Sequence, residues 1–209
     1  MVKVIFWSGI LGAAVFAMAS VLAGVPIEGY SPISQYISES YANGMPYAIY
    51  FQYAFILSGI LLILFGFLAP TTLPKSKGVC ALFYLIALFY GMGTMVTGIF
   101  PCDIGCAPDP VNPSVSQVIH NISGALTYMT VPCCLIGLGV RLKKWPSTKN
   151  LAACSLICGM VSLSFVVLLF SNPSGPFIGL FQRITECSIL FWIVYCSFFI
   201  LRKPKNVQV

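Results

Sequence analysis

The run GVCALFYLIALFYGMGTMVTGIF, residues 78–100, decides how the chain is read. It carries no charged side chain. At about 1.5 Å per residue, a helix over it crosses a hydrocarbon core of about 30 Å. Lys75 and Lys77 precede it, and the polar stretch PCDIGCAPDP, residues 101–110, follows it. Its apolar positions are continuous rather than alternating, which argues against a barrel strand.

Five more runs of the same kind cover about 3–25, 47–69, 119–140, 151–171 and 177–201. Of the 209 residues, 58% are hydrophobic and only 8% are charged, against about 25% charged in a soluble domain. Too few polar side chains remain to cover a globule in water. The expected fold is all-α: a polytopic membrane protein, one bundle of six transmembrane helices over residues 1–209. Lys3, an apolar run and Ala17-Met18-Ala19 also fit a signal peptide with its cleavage site. The run continues to Val25, past the length of a signal core, so it is read as a retained span.

Charge gives the orientation. Lys3, Lys75, Lys77, Arg141, Lys143, Lys144, Lys149, Arg202, Lys203 and Lys205 fall on one side of such a bundle. Glu28, Glu39, Asp103 and Asp109 fall on the other. An excess of Lys and Arg marks the cytoplasmic side, so both termini are expected there. The net charge of +6 is then a topology signal. These basic residues sit in short juxtamembrane turns with no recognition motif, so nucleic-acid binding is not expected.

Chemistry is sought first in the longer outer connectors. In VPIEGYSPISQYISESYANGMPY, residues 25–47, Ser31 and Pro32 read as a helix start. Ile33, Tyr36 and Ile37 then share a face, and Asn43-Gly44 ends the element, which predicts a short amphipathic helix. Glu39 either faces water or turns inward over a polar cavity. Tyr30, Tyr36, Tyr41, Tyr47 and Tyr50 suit an interfacial aromatic belt. In the second outer connector, Cys102 and Cys106 are read as a disulfide, with free thiols and a metal site as alternatives. Gly105 between them favours a tight turn.

His120 is the single histidine and falls near the start of its span. Arg183 and Glu186 lie on one helix face, several residues inside the last span. They read either as a local ion pair or as an anion contact by Arg183 oriented by Glu186. Gly91, Gly93, Gly98 and Gly124 are expected to let helices approach closely. Pro132 should kink its helix. No metal centre or cofactor is expected. Cys102, Asp103, Cys106, Asp109 and His120 offer donors, but in no recognised zinc spacing. One histidine excludes bis-histidine haem ligation, and no HExxH, GxSxG, P-loop or dinucleotide fingerprint occurs.

Three stretches carry a family likeness: YSPISQYISESYANGMPYA at 30–48, GIFPCD at 98–103 followed by His120 and Gly124, and GLFQR at 179–183 running on to Trp192. Together they resemble the bacterial and archaeal membrane proteins grouped as domain of unknown function 998. That family is similar in layout to the Frag1, DRAM and Sfk1 group, which is linked to membrane organisation and lipid handling. The resemblance implies a bacterial inner membrane. It also implies Glu39, Asp103, His120 and Arg183 as recurring polar positions, and it makes Cys102 and Cys106 an addition to the family pattern.

Three functional readings follow. The first is a bundle that binds a lipid or small amphiphile in an outward-facing polar cavity, with Arg183, His120, Glu39, Asp103 and Glu186 as ligand-binding candidates and an anionic headgroup at Arg183. The second is a membrane enzyme with Glu39, Asp103 and His120 as acid–base groups. The third is a small transporter or channel component. Membrane lipids are the expected partners, and the oligomeric state stays open.

Overall fold

The computed structural model describes residues 1–106 and 111–202. Asp109, Lys203 and Lys205 lie outside the described residues. The described chain is all-α, with six helical spans long and apolar enough to cross a membrane. They are built from α1 (Val2–Leu22), α2 (Ala48–Leu68), α3 (Lys77–Ile86), α4 (Gly93–Ile99), α5 (Val115–Leu142), α6 (Lys149–Ser171) and α7 (Ile178–Arg202). A π-helical turn, Ala87–Met92, joins α3 to α4 within the third span.

The spans run alternately up and down, and the helices pack in ring order. α1 lies against α2 and α7, α2 against α4 and the π turn, α5 against α3, α4 and α6, and α6 against α7. Lys3, Lys75, Lys77, Arg141, Lys143, Lys144, Lys149 and Arg202 therefore gather at one end, here the basic end. The opposite end carries the connectors after α1, α4 and α6 and is called the cap end. Leu57, Ile60, Leu64, Ile157 and Met160 are exposed on the outer faces of their helices. That pattern suits lipid as the surrounding solvent.

The core is aromatic toward the basic end. Trp192 is fully buried, packs on Phe65 and Phe83, and donates its Nε1–H to the Ser155 hydroxyl at 2.7 Å. That hydrogen bond lets a polar ring edge sit in an apolar interior. The second and third spans meet backbone to backbone. A Cβ added at Gly59 would lie 2.6 Å from the Gly91 carbonyl oxygen, so glycine sets this approach. Gly124 behaves differently from the expectation. A Cβ there would meet nothing within 4 Å, because this glycine faces empty space.

A π turn breaks the i to i−4 ladder and leaves a carbonyl without its usual partner. Here the Phe89 carbonyl accepts the Thr127 hydroxyl of α5 at 2.5 Å. Thr127 thus ties α5 to the third span.

The first cap-end connector departs from the expected amphipathic helix. Residues 32–37 are non-helical, with a turn over 32–34, and only Ser38–Tyr41 is helical, as a single 3-10 turn. The carbonyls that would propagate a helix are taken by α7. Ile33 O accepts the Leu180 N–H at 2.9 Å, and Arg183 Nη1 donates to Pro32 O at 2.7 Å and Gln35 O at 2.9 Å. Glu39 folds back, accepting the Tyr36 N–H at 2.7 Å and the Gln35 side-chain amide at 2.9 Å. The connector is thereby a cap loop docked on α7.

Candidate functional site

The site begins with Glu186. It lies eight residues past Ile178, the first residue of α7, hence about 12 Å down the helix. Among the described residues, no other acidic residue lies within a span. A carboxylate at that depth needs donors, and two phenols supply them. Tyr90, in the π turn, donates to Glu186 Oε2 at 2.8 Å, and Tyr128 of α5 donates to Oε1 at 2.7 Å.

A third group fixes the direction of this network. Gln182, one turn above Glu186, accepts the backbone N–H of Ile37 through Oε1 at 2.7 Å. That contact identifies the oxygen of the amide. Its nitrogen therefore faces Tyr128 and donates to the phenol oxygen at 2.9 Å. The Tyr128 hydroxyl proton is then free to point only at Glu186. A directed chain runs from the cap loop through Gln182 and Tyr128 to the carboxylate.

Above Glu186 is a cavity of about 250 Å3. All six spans contribute to it, with Phe16, Phe55, Tyr90, Thr94, Tyr128, Leu169 and Glu186 among its walls. Tyr36, Ile37, Ser38 and Tyr41 of the cap loop line it at the top, and Gly124 lines the open space noted above. The aromatic wall is continuous. Phe16 meets Phe55 edge-on at 5.2 Å and Tyr90 at 6.0 Å, and Tyr41 lies 4.4 Å from Phe55. Tyr36 and Tyr41 are thus cavity and cap residues, while Tyr47 and Tyr50 remain exposed.

His120 also lines the cavity, and its Nδ1 lies 3.0 Å from the Phe100 carbonyl oxygen. It is eight residues above Tyr128 on α5, about 12 Å along the helix axis. Glu39, Asp103 and Arg183 do not line this cavity. Glu39 is held within the cap loop. Asp103 caps the start of α5, its Oδ2 accepting the Ser114 N–H at 3.0 Å while Gln117 Oε1 accepts the Asp103 N–H at 2.7 Å. The Ser114 amide, and after it the Ser114 hydroxyl, hold the Asp103 carboxyl below the usual 3.8.

Arg183 turns away from Glu186. Its Nη1 donates to the Pro32, Gln35 and Gly179 carbonyls, and its Nη2 donates to the Tyr30 hydroxyl at 2.6 Å. Tyr30 in turn donates to Tyr36 O at 2.8 Å. Burial raises the Tyr30 phenol above its ordinary value despite the adjacent guanidinium. Burial, then the Glu39 carboxylate, pushes the Tyr36 phenol up to about 12. Both phenols are neutral donors at physiological pH, as their contacts require.

Cys102 and Cys106 form a disulfide. Gly105, with φ of +82°, makes the turn between them. The Cys106 sulfur lies 3.0 Å from the Ser38 hydroxyl, and Cys102 O accepts the Asn43 N–H at 2.9 Å. The brace therefore joins the second connector to the cap loop. Both sulfurs and a His120 ring nitrogen lie within 4.8 Å of one another. With the sulfurs bonded to each other, neither is a thiolate donor.

A family profile described as protein of unknown function, DUF998, matches residues 10–198. The chain belongs to the DUF998 family. The match spans α1 to α7 and so includes every side chain of the cavity and the cap loop. No curated protein and no solved structure matches the chain.

Sequence reasoning singled out Glu186 and His120 but passed over Tyr90, Tyr128 and Gln182. A signal existed. Tyr90 and Tyr128 lie near the middle of apolar runs, Gln182 lies one turn above Glu186, and an acid within a span demands donors.

Proposed function

We propose that the protein binds a lipid or small amphiphile in the cavity at the cap end, and that this end faces outward with both termini cytoplasmic. One observation carries the reading: six spans and a tethered cap loop surround a space whose walls are aromatic and whose floor is a hydrogen-bonded carboxylate. An apolar enclosure with a few convergent polar groups is the usual form of a small-molecule site. At about 250 Å3, it falls just under the usual range of about 300–1,000 Å3. A single chain or a head group suits it better than a whole two-tailed lipid. The basic residues at the opposite end support the proposed orientation. A bacterial inner membrane is the proposed location.

Gly124 supplies the test. A leucine there projects into open space, so it fills the cavity without meeting a wall at Cβ. Replacing a helix glycine also removes a local cost of about 1 kcal/mol. The Gly124→Leu protein should fold at least as stably as the parent in a thermal melt. In native mass spectrometry from nanodiscs it should lose a bound dodecyl-chain amphiphile that the parent retains. Equal retention by a folded Gly124→Leu protein would remove the cavity from consideration.

A further inference from the structure

We propose that the head group taken by this cavity is cationic: an ammonium group of an amine-headed single-chain amphiphile, held by Glu186 within the ring of Phe16, Phe55, Tyr90 and Tyr128. This rests on the amphiphile-binding reading above and specifies the chemistry of its ligand.

Two independent features converge. The first is charge. Both Glu186 oxygens accept from phenols, and the Gln182 amide, fixed by the Ile37 N–H, forces the Tyr128 proton toward the carboxylate. Hydrogen bonds from neutral donors satisfy lone pairs without cancelling charge. No lysine or arginine lines the cavity among the described residues. Arg183, three positions away in sequence, is committed to the cap-loop carbonyls and Tyr30. His120, which faces the cavity from α5 as Tyr128 does, sits well above the floor and is tied to Phe100 O. An ionised Glu186 in this low-dielectric span has no lysine or arginine as counter-charge among the described residues that line the cavity.

The second feature is the wall. Phe16, Phe55, Tyr41 and Tyr90 form a contiguous aromatic cluster beside that carboxylate. Ring faces attract cations, and this arrangement of several rings and one acid is what ammonium recognition uses. An anionic head would meet Glu186 with no basic residue to receive it. The charge preference is therefore the reverse of that expected from Arg183 alone.

The experiment compares dodecylamine, dodecanol and dodecanoate at neutral pH, by displacement of a fluorescent dodecyl-chain probe from the full chain in zwitterionic nanodiscs. The parent should bind dodecylamine at least about tenfold more tightly than dodecanol, the value of one charge-assisted hydrogen bond, and dodecanoate most weakly. Glu186→Gln should erase the preference for the amine over the alcohol. Gly124→Leu should weaken all three. Equal binding of amine and alcohol by the parent, as a protonated Glu186 would give, overturns the inference while the amphiphile site stands. Indifference of all three ligands to Gly124→Leu overturns the amphiphile site itself. If Glu186→Gln fails to fold, the three-ligand series on the parent still decides. Propylamine added as competitor assigns the source. Displacement at similar strength marks a soluble amine, and failure to displace marks a membrane-borne one; both uphold recognition of the cation.

Discussion

Arg183 and Glu186 stand three positions apart on α7, one tied to the cap loop and the other to the floor of the cavity beneath it. The guanidinium reaches up to loop carbonyls, and the carboxylate reaches in to two phenols. Their sequence spacing was legible, and so was the cost of charge at their depth. Their separation was not, because it depends on which donors and acceptors the distant residues Pro32, Gln35, Tyr90 and Tyr128 bring. Asp103 shows a local case that yields a pH prediction. Its folded pKa is lowered by Ser114, so its contribution is complete above about 3.8 and is lost as pH falls through the lower folded value. Protection of the Ser114 amide from hydrogen exchange should hold steady from neutral to mildly acidic pH, then fall below pH 3.8. In Asp103→Asn that pH dependence should vanish. A parent protein whose protection stays flat through this range would show that the carboxylate does not hold the amide.

At the scale of elements, the cap loop and α7 form one unit. A Cβ at Gly179 would collide with the Gln35 carbonyl oxygen and would lie 2.6 Å from the Pro32 carbonyl oxygen and 2.9 Å from Arg183 Nη1. Gly179→Ala should therefore lift the loop and destabilise the fold by about 1–3 kcal/mol, the range for overpacking. Thermal melts and limited proteolysis within residues 25–37 measure both effects. Gly124→Ala is the matched control, since its Cβ meets nothing; it should leave stability unchanged or raise it. Both glycines occur in helices, and nothing in their neighbouring residues distinguishes the crowded one from the open one. The loop's failure to form a helix was hidden for the same reason. Ser31 and Pro32 are genuine start signals, but the carbonyls they would organise are claimed by Arg183, 148 positions after Gln35 and 151 after Pro32. The π turn was equally silent, since ALFYGM fits an ordinary α-helix by composition.

At the scale of the whole molecule, the six spans were legible because lipid imposes a crude rule: length and apolarity, with no need for a buried face. Their ends follow local capping. α5 begins at Val115 rather than near residue 119 because Ser114 accepts the Gln117 N–H at 3.0 Å. The proposed orientation gives a direct check. Val111 is 91% exposed at the cap end, and Lys144 is exposed at the basic end. In intact cells, a membrane-impermeant maleimide should label Val111→Cys, and Lys144→Cys only after permeabilisation, both measured against the unsubstituted chain. The reverse pattern would invert the topology. The same geometry bears on how the protein is made. Nine cysteines allow many pairings, yet Cys80, Cys133, Cys134, Cys154, Cys158, Cys187 and Cys196 all lie within spans. Only Cys102 and Cys106 emerge into a connector. On the proposed orientation, the oxidising machinery meets a single dithiol as the nascent chain inserts. The membrane then performs the sorting that a secreted protein would leave to an isomerase.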